Sequence, residues 1–177
     1  MILDLVKEDH PILREECQLF DFENPPVDPL KLVRDLKETM VVRRGIGLAA
    51  SQIGLPYNVF VAGNPNDPED IVAFFNARIV STSDEMVLIE EGCLSYPGLF
   101  IKVKRPSQCR IRYADERGEI LTGSYDGIPA RAILHEYDHV NGITFKKRAN
   151  PYHLNFAIRQ KLKLDKLRKK NQNKLSN

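Results

Sequence analysis

The chain has 177 residues, 42% of them hydrophobic and 28% charged, and its formal net charge of +2 argues for no particular partner. This composition is typical of one globular domain with a sizeable core, and no apolar stretch approaches the roughly 18–20 residues of a membrane span. Three scattered cysteines, Cys17, Cys93 and Cys109, form no disulfide framework, so a reducing compartment is expected. The N-terminus lacks the basic and apolar regions of a signal peptide. We therefore expect a cytoplasmic protein, or one cut from a longer precursor, with an organellar or viral origin left open.

Three helices are predicted along the chain. Asp28 and Pro29 provide an N-cap and a first-turn proline, and apolar residues at near-helical spacing then predict a helix over 29–43. A second helix is predicted over 129–141 and ends before a glycine. A third begins near Pro151 and continues into the C-terminal end of the chain.

Between the first two helices the chain is predicted to form strands. The stretch 109–115 alternates apolar with polar residues, as a half-buried strand does. The order of helix, several strands, helix, strand and helix predicts an α+β fold rather than repeated βαβ units. In this fold antiparallel or mixed sheets pack around the second, central helix, with an N-terminal and a C-terminal helix. The predicted strands are residues 58–63, 71–80, 86–94 and 109–115.

The basic charge is concentrated at the C-terminal end. Residues 158–177 carry a net charge of +7, against −5 for the remainder. We therefore divide the chain into one globular domain, residues 1–157, and a basic tail, residues 158–177. Such a charge run is usually a solvated helix end, and the alternative is a contact with nucleic acid. The spacing of Leu154, Ile158 and Leu162 predicts that the helix docks through its first turns.

The stretch LHEYDH, residues 134–139, contains the most specific chemical pattern in the chain. On a helix, His135 and His139 lie about 40° apart around the axis, so both imidazoles can reach one metal ion. Glu136 is well placed to take a proton from a water molecule on that metal. The alternative is a helix with two surface histidines and an acid.

A catalytic metal site usually takes three protein ligands, and the third is not found downstream at a known spacing. No glutamate follows Glu136, and Phe145 stands where H-E-x-x-H-x-x-G-x-x-H would place a histidine. His153 lies at no recognised spacing. Among the cysteines, Cys93 ends a predicted strand in an irregular turn and becomes the best candidate, with a buried core thiol as the alternative. Cys17 and Cys109 are favoured as core residues.

Three segments, in this order and spacing, resemble the peptide deformylase family. They are GIGLAASQIG (45–54), EGCLS (91–95) and HEYDH (135–139), and weaker similarity covers residues 5–148. The family patterns are G-x-G-L-A-A-x-Q, E-G-C-L-S and Q-H-E-x-D-H-L-x-G. The chain differs from these patterns at two positions, and it also lacks the Asn-Pro pair that the family usually has after a strand. None of these differences removes a potential metal ligand. The departures are Leu134 for glutamine, Val140 for leucine and Ala77 for proline.

The resemblance implies that Cys93, His135 and His139 hold one divalent metal, natively ferrous iron, with zinc or nickel able to substitute. It implies that metal-bound hydroxide attacks the formyl carbon of N-formylmethionyl nascent peptides, with Glu136 as general base and acid, and that formate is released. The implied oxyanion hole consists of Gln52 and the backbone N–H of Leu94.

The resemblance also assigns substrate binding. Gly45, Ile46 and Gly47 would give main-chain hydrogen bonds to an extended peptide, and small residues permit this close approach. Gly45 also fits a helix C-cap. Ile46, Ile128 and Ala132 are the candidates for the methionine pocket. In the metal-binding helix, Tyr137 fits the core, and Asp138 is expected to pair with Arg105 or Arg131.

The partner implied for the basic tail is the ribosome, with neither DNA nor a membrane expected. Two other functions remain open from the residues. One is a zinc protease or general amidase, which would cleave a full peptide bond without a formyl requirement. The other is a non-catalytic RNA-binding or ribosome-binding protein whose metal is structural.

Overall fold

A computed structural model describes residues 1–175, so the last two residues of the predicted basic tail, Ser176 and Asn177, lie outside the described residues. The helices are α1 (Pro29–Val42), α2 (Gly127–Val140), the one-turn α3 (Phe145–Arg148) and α4 (Pro151–Leu175). The strands are β1 (Gly47–Ala49), β2 (Val59–Ala62), β3 (Val72–Thr82), β4 (Met86–Gly92), β5 (Phe100–Pro106), β6 (Gln108–Ala114) and β7 (Ile120–Asp126).

The strands form two antiparallel sheets. Five of them pair in the order β1-β2-β3-β6-β7, while β4 pairs with β5 in a separate two-stranded sheet. This confirms the predicted α+β fold with antiparallel sheets. The four predicted strands are present as β2, β3, β4 and β6, whereas β1, β5 and β7 were not predicted.

Helix α1 begins and ends as its terminal residues dictate. Asp28 Oδ1 accepts the backbone N–H of Lys31 at 3.1 Å, which caps the first turn. At the other end Arg44 has a φ of 57° and its N–H donates to the carbonyl of Val41 at 2.9 Å. The N–H of Gly45 donates to the preceding turn, completing a Schellman motif. The left-handed capping residue is therefore Arg44 and not Gly45.

Helix α2 is the central element of the fold. It contacts strands of both sheets, namely β1, β2, β6 and β7 of the larger sheet and β5 of the smaller one. Ten of its 14 residues are buried, more than one amphipathic face would provide. Any polar side chain on this helix is therefore removed from water and must find a partner or a ligand.

The chain after α2 differs from two expectations. No strand follows α2 among residues 1–175, because the segment forms α3 and then α4. Helix α4 docks through Leu154 and Ala157, while Ile158 and Leu162 are 39% and 55% exposed. Residues spaced alternately three and four apart stay on one face of a helix, whereas residues spaced four apart each time move gradually around it. The predicted spacing therefore carried Ile158 and Leu162 away from the buried face. No helix within the described part of the chain is both long and apolar enough to cross a membrane.

Candidate active site

Helix α2 and the turn after β4 bring three potential metal ligands together. The thiol of Cys93 and the imidazoles of His135 and His139 have ligand atoms within 4.8 Å of one another. Cys93 Sγ lies 3.2 Å from His139 Nε2. A sulfur and two imidazole nitrogens form a donor set that first-row divalent metals accept, and three ligands leave a coordination position open. These residues could hold one metal ion. His153 is not part of this group.

The charge balance within this group favours a cation. Burial lowers the pKa of the His135 imidazole, but its hydrogen bonds with Cys93 and Glu91 outweigh that effect and raise the pKa to about 10. Burial and the proximity of His135 hold the pKa of His139 well below its usual value. The group thus accommodates one positive charge beside the cysteine sulfur, which is the charge type that a metal ion supplies.

Glu91, the residue two positions before Cys93, orients the His135 ring. Its Oε2 lies 2.9 Å from His135 Nδ1. Burial raises the pKa of Glu91, but hydrogen bonds from His135 and Arg105 prevail and lower the pKa to about 2. An ionised carboxylate can only accept, so Nδ1 carries a proton and donates it to Glu91. Nε2 is therefore the nitrogen left for a ligand, and a metal ion would displace its proton on binding. Sequence reasoning did not identify this role, although Glu91 lies in the EGCLS segment.

A network of buried ion pairs surrounds Glu91. Arg105 Nε and Arg131 Nη1 both donate to Glu91 Oε1, at 2.7 Å and 2.6 Å. Arg105 Nη1 also donates to Asp138 Oδ2 at 2.8 Å, and Arg148 Nη2 donates to Asp138 Oδ1 at 2.6 Å. The predicted partner of Asp138 is thus Arg105, whereas Arg131 pairs with Glu91. Because each buried charge has an opposite partner, the network avoids the cost of an isolated charge.

The carboxyl of Glu136 faces the cleft beside the potential ligands. Its side chain is buried, and in the described part of the chain Oε2 has no hydrogen-bond partner. Burial raises the pKa of Glu136 to about 7. The carboxyl lies directly on the backbone of Gly47, where an added Cβ would be 2.5 Å from Oε1. A carboxyl with a near-neutral pKa and an unused oxygen can both take up and release a proton.

Gln52 is also buried and its orientation is fixed. Its Oε1 accepts the backbone N–H of Ala49 at 2.9 Å, so its amide nitrogen faces Cys93 Sγ at 3.6 Å and Ser95 Oγ at 3.0 Å. Gln52 is therefore a buried donor and not a surface side chain. Within residues 1–175 the N–H of Leu94 donates to no backbone carbonyl. Two N–H donors thus lie near Cys93, the Gln52 amide beside its sulfur and the Leu94 N–H at the next residue of the chain.

These groups line a cleft of about 440 Å³ between the two sheets. One wall is the segment 45–47, which leads into β1, and the opposite wall is the end of β4. Since within residues 1–175 β1 pairs only with β2 and β4 only with β5, each wall has an open strand edge. The expected methionine-pocket residues Ile46, Ile128 and Ala132 also line the cleft. An extended peptide can add to such edges through main-chain hydrogen bonds.

Leu134 stands where the resembled family has glutamine. Its side chain is buried in the apolar cluster under α2, and its backbone carbonyl accepts a hydrogen bond from Arg105 Nη1 at 3.3 Å.

The other two cysteines lie apart from the site. Cys17 and Cys109 are buried in the core, as expected, and burial raises the pKa of each thiol to about 11. They remain protonated thiols at neutral pH and act as small apolar side chains.

An α+β fold that gathers a Cys/His/His group and a buried carboxyl in one cleft defines a hydrolase of the HExxH class. The family model for polypeptide deformylase matches residues 2–155, and the chain belongs to that family. Its members are hydrolases that remove the formyl group from nascent peptides.

Individual relatives agree with this assignment. A peptide deformylase of Pseudothermotoga lettingae is 39% identical over 154 residues, which are 86% of this chain and 85% of the relative. The crystal structure of a peptide deformylase from Legionella pneumophila covers 95% of this chain and 98% of its own, with a TM-score of 0.84 and 28% identity. A class I type b peptide deformylase from Acinetobacter baumannii, crystallised with Met-Ala-Ser bound, matches with a TM-score of 0.76 and 32% identity over 84% of this chain and 98% of its own. The resemblance and the fold class are thereby confirmed.

Proposed function

We propose that this chain is a cytoplasmic, metal-dependent deformylase that hydrolyses the N-formyl group of N-formylmethionyl nascent peptides and releases formate. One observation carries the proposal. Cys93, His135 and His139 converge beside the buried Glu136, whose carboxyl oxygen Oε2 has no hydrogen-bond partner within the described residues.

Cys93, His135 and His139 would hold the metal, with Glu91 fixing the tautomer of His135. Fe²⁺ is the ion that we propose for the cell, on the basis of the family resemblance, and the mixed sulfur and nitrogen donors would also accept Zn²⁺ or Ni²⁺. When bound, such an ion acidifies water and polarises a carbonyl oxygen.

Glu136 is the proposed general base and acid. With its pKa raised to about 7, the carboxyl is ionised in a substantial fraction of molecules near neutral pH and can accept a proton from the attacking water. The protonated carboxyl then returns that proton to the amine nitrogen of methionine as the carbon–nitrogen bond breaks. The products are formate and a free amino terminus.

Gln52 Nε2 and the backbone N–H of Leu94 are the proposed oxyanion hole. The hydrogen bond from Ala49 holds the Gln52 amide with its nitrogen toward Cys93, so the donor needs no rearrangement when charge develops. Loss of one such donor typically costs about 3 kcal/mol of transition-state stabilisation.

The open edge at Gly45, Ile46 and Gly47 is the proposed binding site for the substrate main chain. The methionine side chain would enter the apolar region formed by Ile46, Ile128 and Ala132. The Met-Ala-Ser complex of the Acinetobacter baumannii relative supports a peptide in this cleft.

Substitution of Glu136 tests the mechanism. We expect Glu136→Gln to keep its metal and its fold but to lose nearly all formate release from formyl-Met-Ala-Ser. Glu119→Gln, a matched change at an exposed site outside the cleft, is expected to keep activity. Near-normal turnover by Glu136→Gln would exclude the proposed base. Cleavage of acetyl-Met-Ala-Ser at a comparable rate would instead favour a general amidase.

We further propose that the basic part of α4 contacts the ribosome. Its lysine and arginine side chains are exposed through Lys170, apart from the half-buried Lys161. A full-length variant with Lys163, Lys166, Arg168 and Lys170 changed to glutamine keeps helix propensity and removes four charges. We expect the wild-type chain to co-sediment with ribosomes at low salt and less at moderate salt, and the variant to bind weakly at both. Equal binding by the two chains would reject this role.

A further inference from the structure

A second cavity of about 400 Å³ lies beside the active-site cleft, between β5 and α4. Its walls are mainly apolar and aromatic. Phe100 is 57% exposed, and Tyr152, Phe156 and Leu164 of α4 are 73%, 54% and 51% exposed. We call this cavity the α4 groove. Large apolar side chains left open to water along one groove are typical of a binding surface.

The α4 groove adjoins the cleft. Three residues, Glu90, Gly98 and Phe100, line both cavities. The Phe100 ring lies over Gly92, where an added Cβ would be 2.8 Å from a ring carbon. Gly92 directly precedes Cys93, so the aromatic ring at the boundary lies next to the turn that carries a proposed metal ligand. A peptide leaving the cleft past Phe100 therefore enters the groove.

We propose that the α4 groove binds the apolar side chains of the nascent peptide at about the fourth to seventh residues. This inference deepens the proposed function and rests on it. The cleft accommodates the first residues in an extended conformation, and each further residue advances the chain by about 3.3 Å. The occupant is thus the downstream part of the substrate itself.

The chemistry of the groove predicts which sequences it favours. Aromatic rings accept many apolar side chains without requiring one shape. Lys102 lies in the groove as an exposed cation, with the half-buried Lys161 and the exposed Glu90 beside it, so these three groups together are positive by one charge. Apolar segments are therefore favoured, and segments rich in lysine or arginine are disfavoured by like charge.

Peptides of different length test the groove in the metal-loaded, full-length enzyme. The substrates are formyl-Met-Ala-Ser, the same peptide extended by Gly-Leu-Phe-Leu, and the same peptide extended by Gly-Ser-Asn-Ser. We expect kcat/KM, followed by formate release, to be about tenfold higher for the apolar extension than for the tripeptide, since burial of one or two apolar side chains contributes binding on this order. The polar extension is expected to give little gain.

Two matched variants locate the effect. Phe156→Ala removes a groove wall, whereas Leu162→Ala removes a side chain of nearly equal exposure, 55% against 54%, that does not line the groove. The readout is the ratio of kcat/KM for the apolar extension to that for the tripeptide in the same variant. We expect Phe156→Ala to reduce this ratio to near one and Leu162→Ala to keep it.

The outcomes separate the two proposals. A wild-type ratio of one, or an equal loss of the ratio in both variants, would overturn the groove inference while deformylation of the tripeptide persists. Failure of the wild-type enzyme to deformylate the tripeptide would overturn the proposed function itself.

Discussion

Gly47 determines where the Glu136 carboxyl can lie. Because an added Cβ would be 2.5 Å from Glu136 Oε1 and 2.7 Å from its Cγ, Gly47→Ala must displace the proposed base. We predict that this variant binds metal but loses about 100-fold or more in kcat/KM, since small misplacements of catalytic groups cost that much. Formate release and metal content are the measurements.

A control for Gly47→Ala is Gly127→Ala. An added Cβ there meets no atom within 4 Å, although its φ of 56° makes the substitution strained. We expect this control to lose some stability but to keep turnover when folded. Normal turnover in Gly47→Ala would show that the glycine is not required for the position of Glu136.

Glu91 makes four hydrogen bonds beside the proposed metal site, with Arg105, Arg131 and His135. Glu91→Gln leaves Arg105 and Arg131 buried without their full counter-charge, so we predict a loss of about 3 kcal/mol in the free energy of unfolding. We also predict about 10- to 100-fold weaker metal binding, because the orientation of His135 is released. Urea unfolding and metal titration measure the two effects.

The neighbouring substitution Glu90→Gln is the matched control for Glu91→Gln. Glu90 is exposed, and we expect its change to alter stability by no more than about 0.5 kcal/mol. Similar losses at both positions would assign the effect to strand β4 rather than to the ion-pair network.

The sequence predicted the three potential metal ligands but not the residue that orients His135. The HExxH spacing and the turn after β4 pointed to His135, His139 and Cys93, because these signals are local. The role of Glu91 depends on Arg105 and Arg131, which come from a neighbouring strand and from α2. Such distant contacts leave no periodic signal, so they became visible only in the folded chain.

The end of α1 provides a test at the level of an element. Arg44 occupies a left-handed conformation that glycine adopts without cost. We predict that Arg44→Gly raises the free energy of unfolding by about 0.5 kcal/mol. Arg34→Gly, within the same helix, is expected to lower it by about 1 kcal/mol. Urea unfolding of both variants is the measurement, and a loss in Arg44→Gly would mean that its side chain stabilises the fold.

Three strands were not predicted, each for a physical reason of its own. Strand β1 has three residues, too few for an alternation to be recognised. Strand β5 does alternate, with Ile101, Val103 and Arg105 buried between exposed residues, but its lysines and the buried arginine mask the pattern. Strand β7 contains a glycine and is mostly exposed. Helix α1 was predicted well because its N-cap and its apolar periodicity agree.

The whole molecule predicts a clear order of thiol reactivity. Cys17 and Cys109 are 8% and 3% exposed, and burial keeps both protonated, so they should resist iodoacetamide in the native protein. Cys93 is partly accessible in the cleft. We predict that native protein treated with a chelator is alkylated at Cys93 alone and that added Zn²⁺ or Ni²⁺ protects it. Peptide mass spectrometry identifies the site.

Cys93→Ser is the control for this experiment. We expect it to bind no metal and to show no alkylation under native conditions, whereas Cys109→Ser should behave as the wild-type chain does. Alkylation at Cys93 that metal does not slow would remove this cysteine from the ligand set.

The two open strand edges of the cleft also limit how much the enzyme can discriminate. Main-chain groups are the same in every peptide, so a wall of backbone donors and acceptors carries almost no information about side chains. Discrimination is then left to the apolar region at Ile128 and Ala132 and to whatever lies beyond the cleft. An enzyme with such a cleft accepts many peptide sequences and discriminates little among them. An enzyme that acts on nascent peptides of many different sequences needs this wide acceptance.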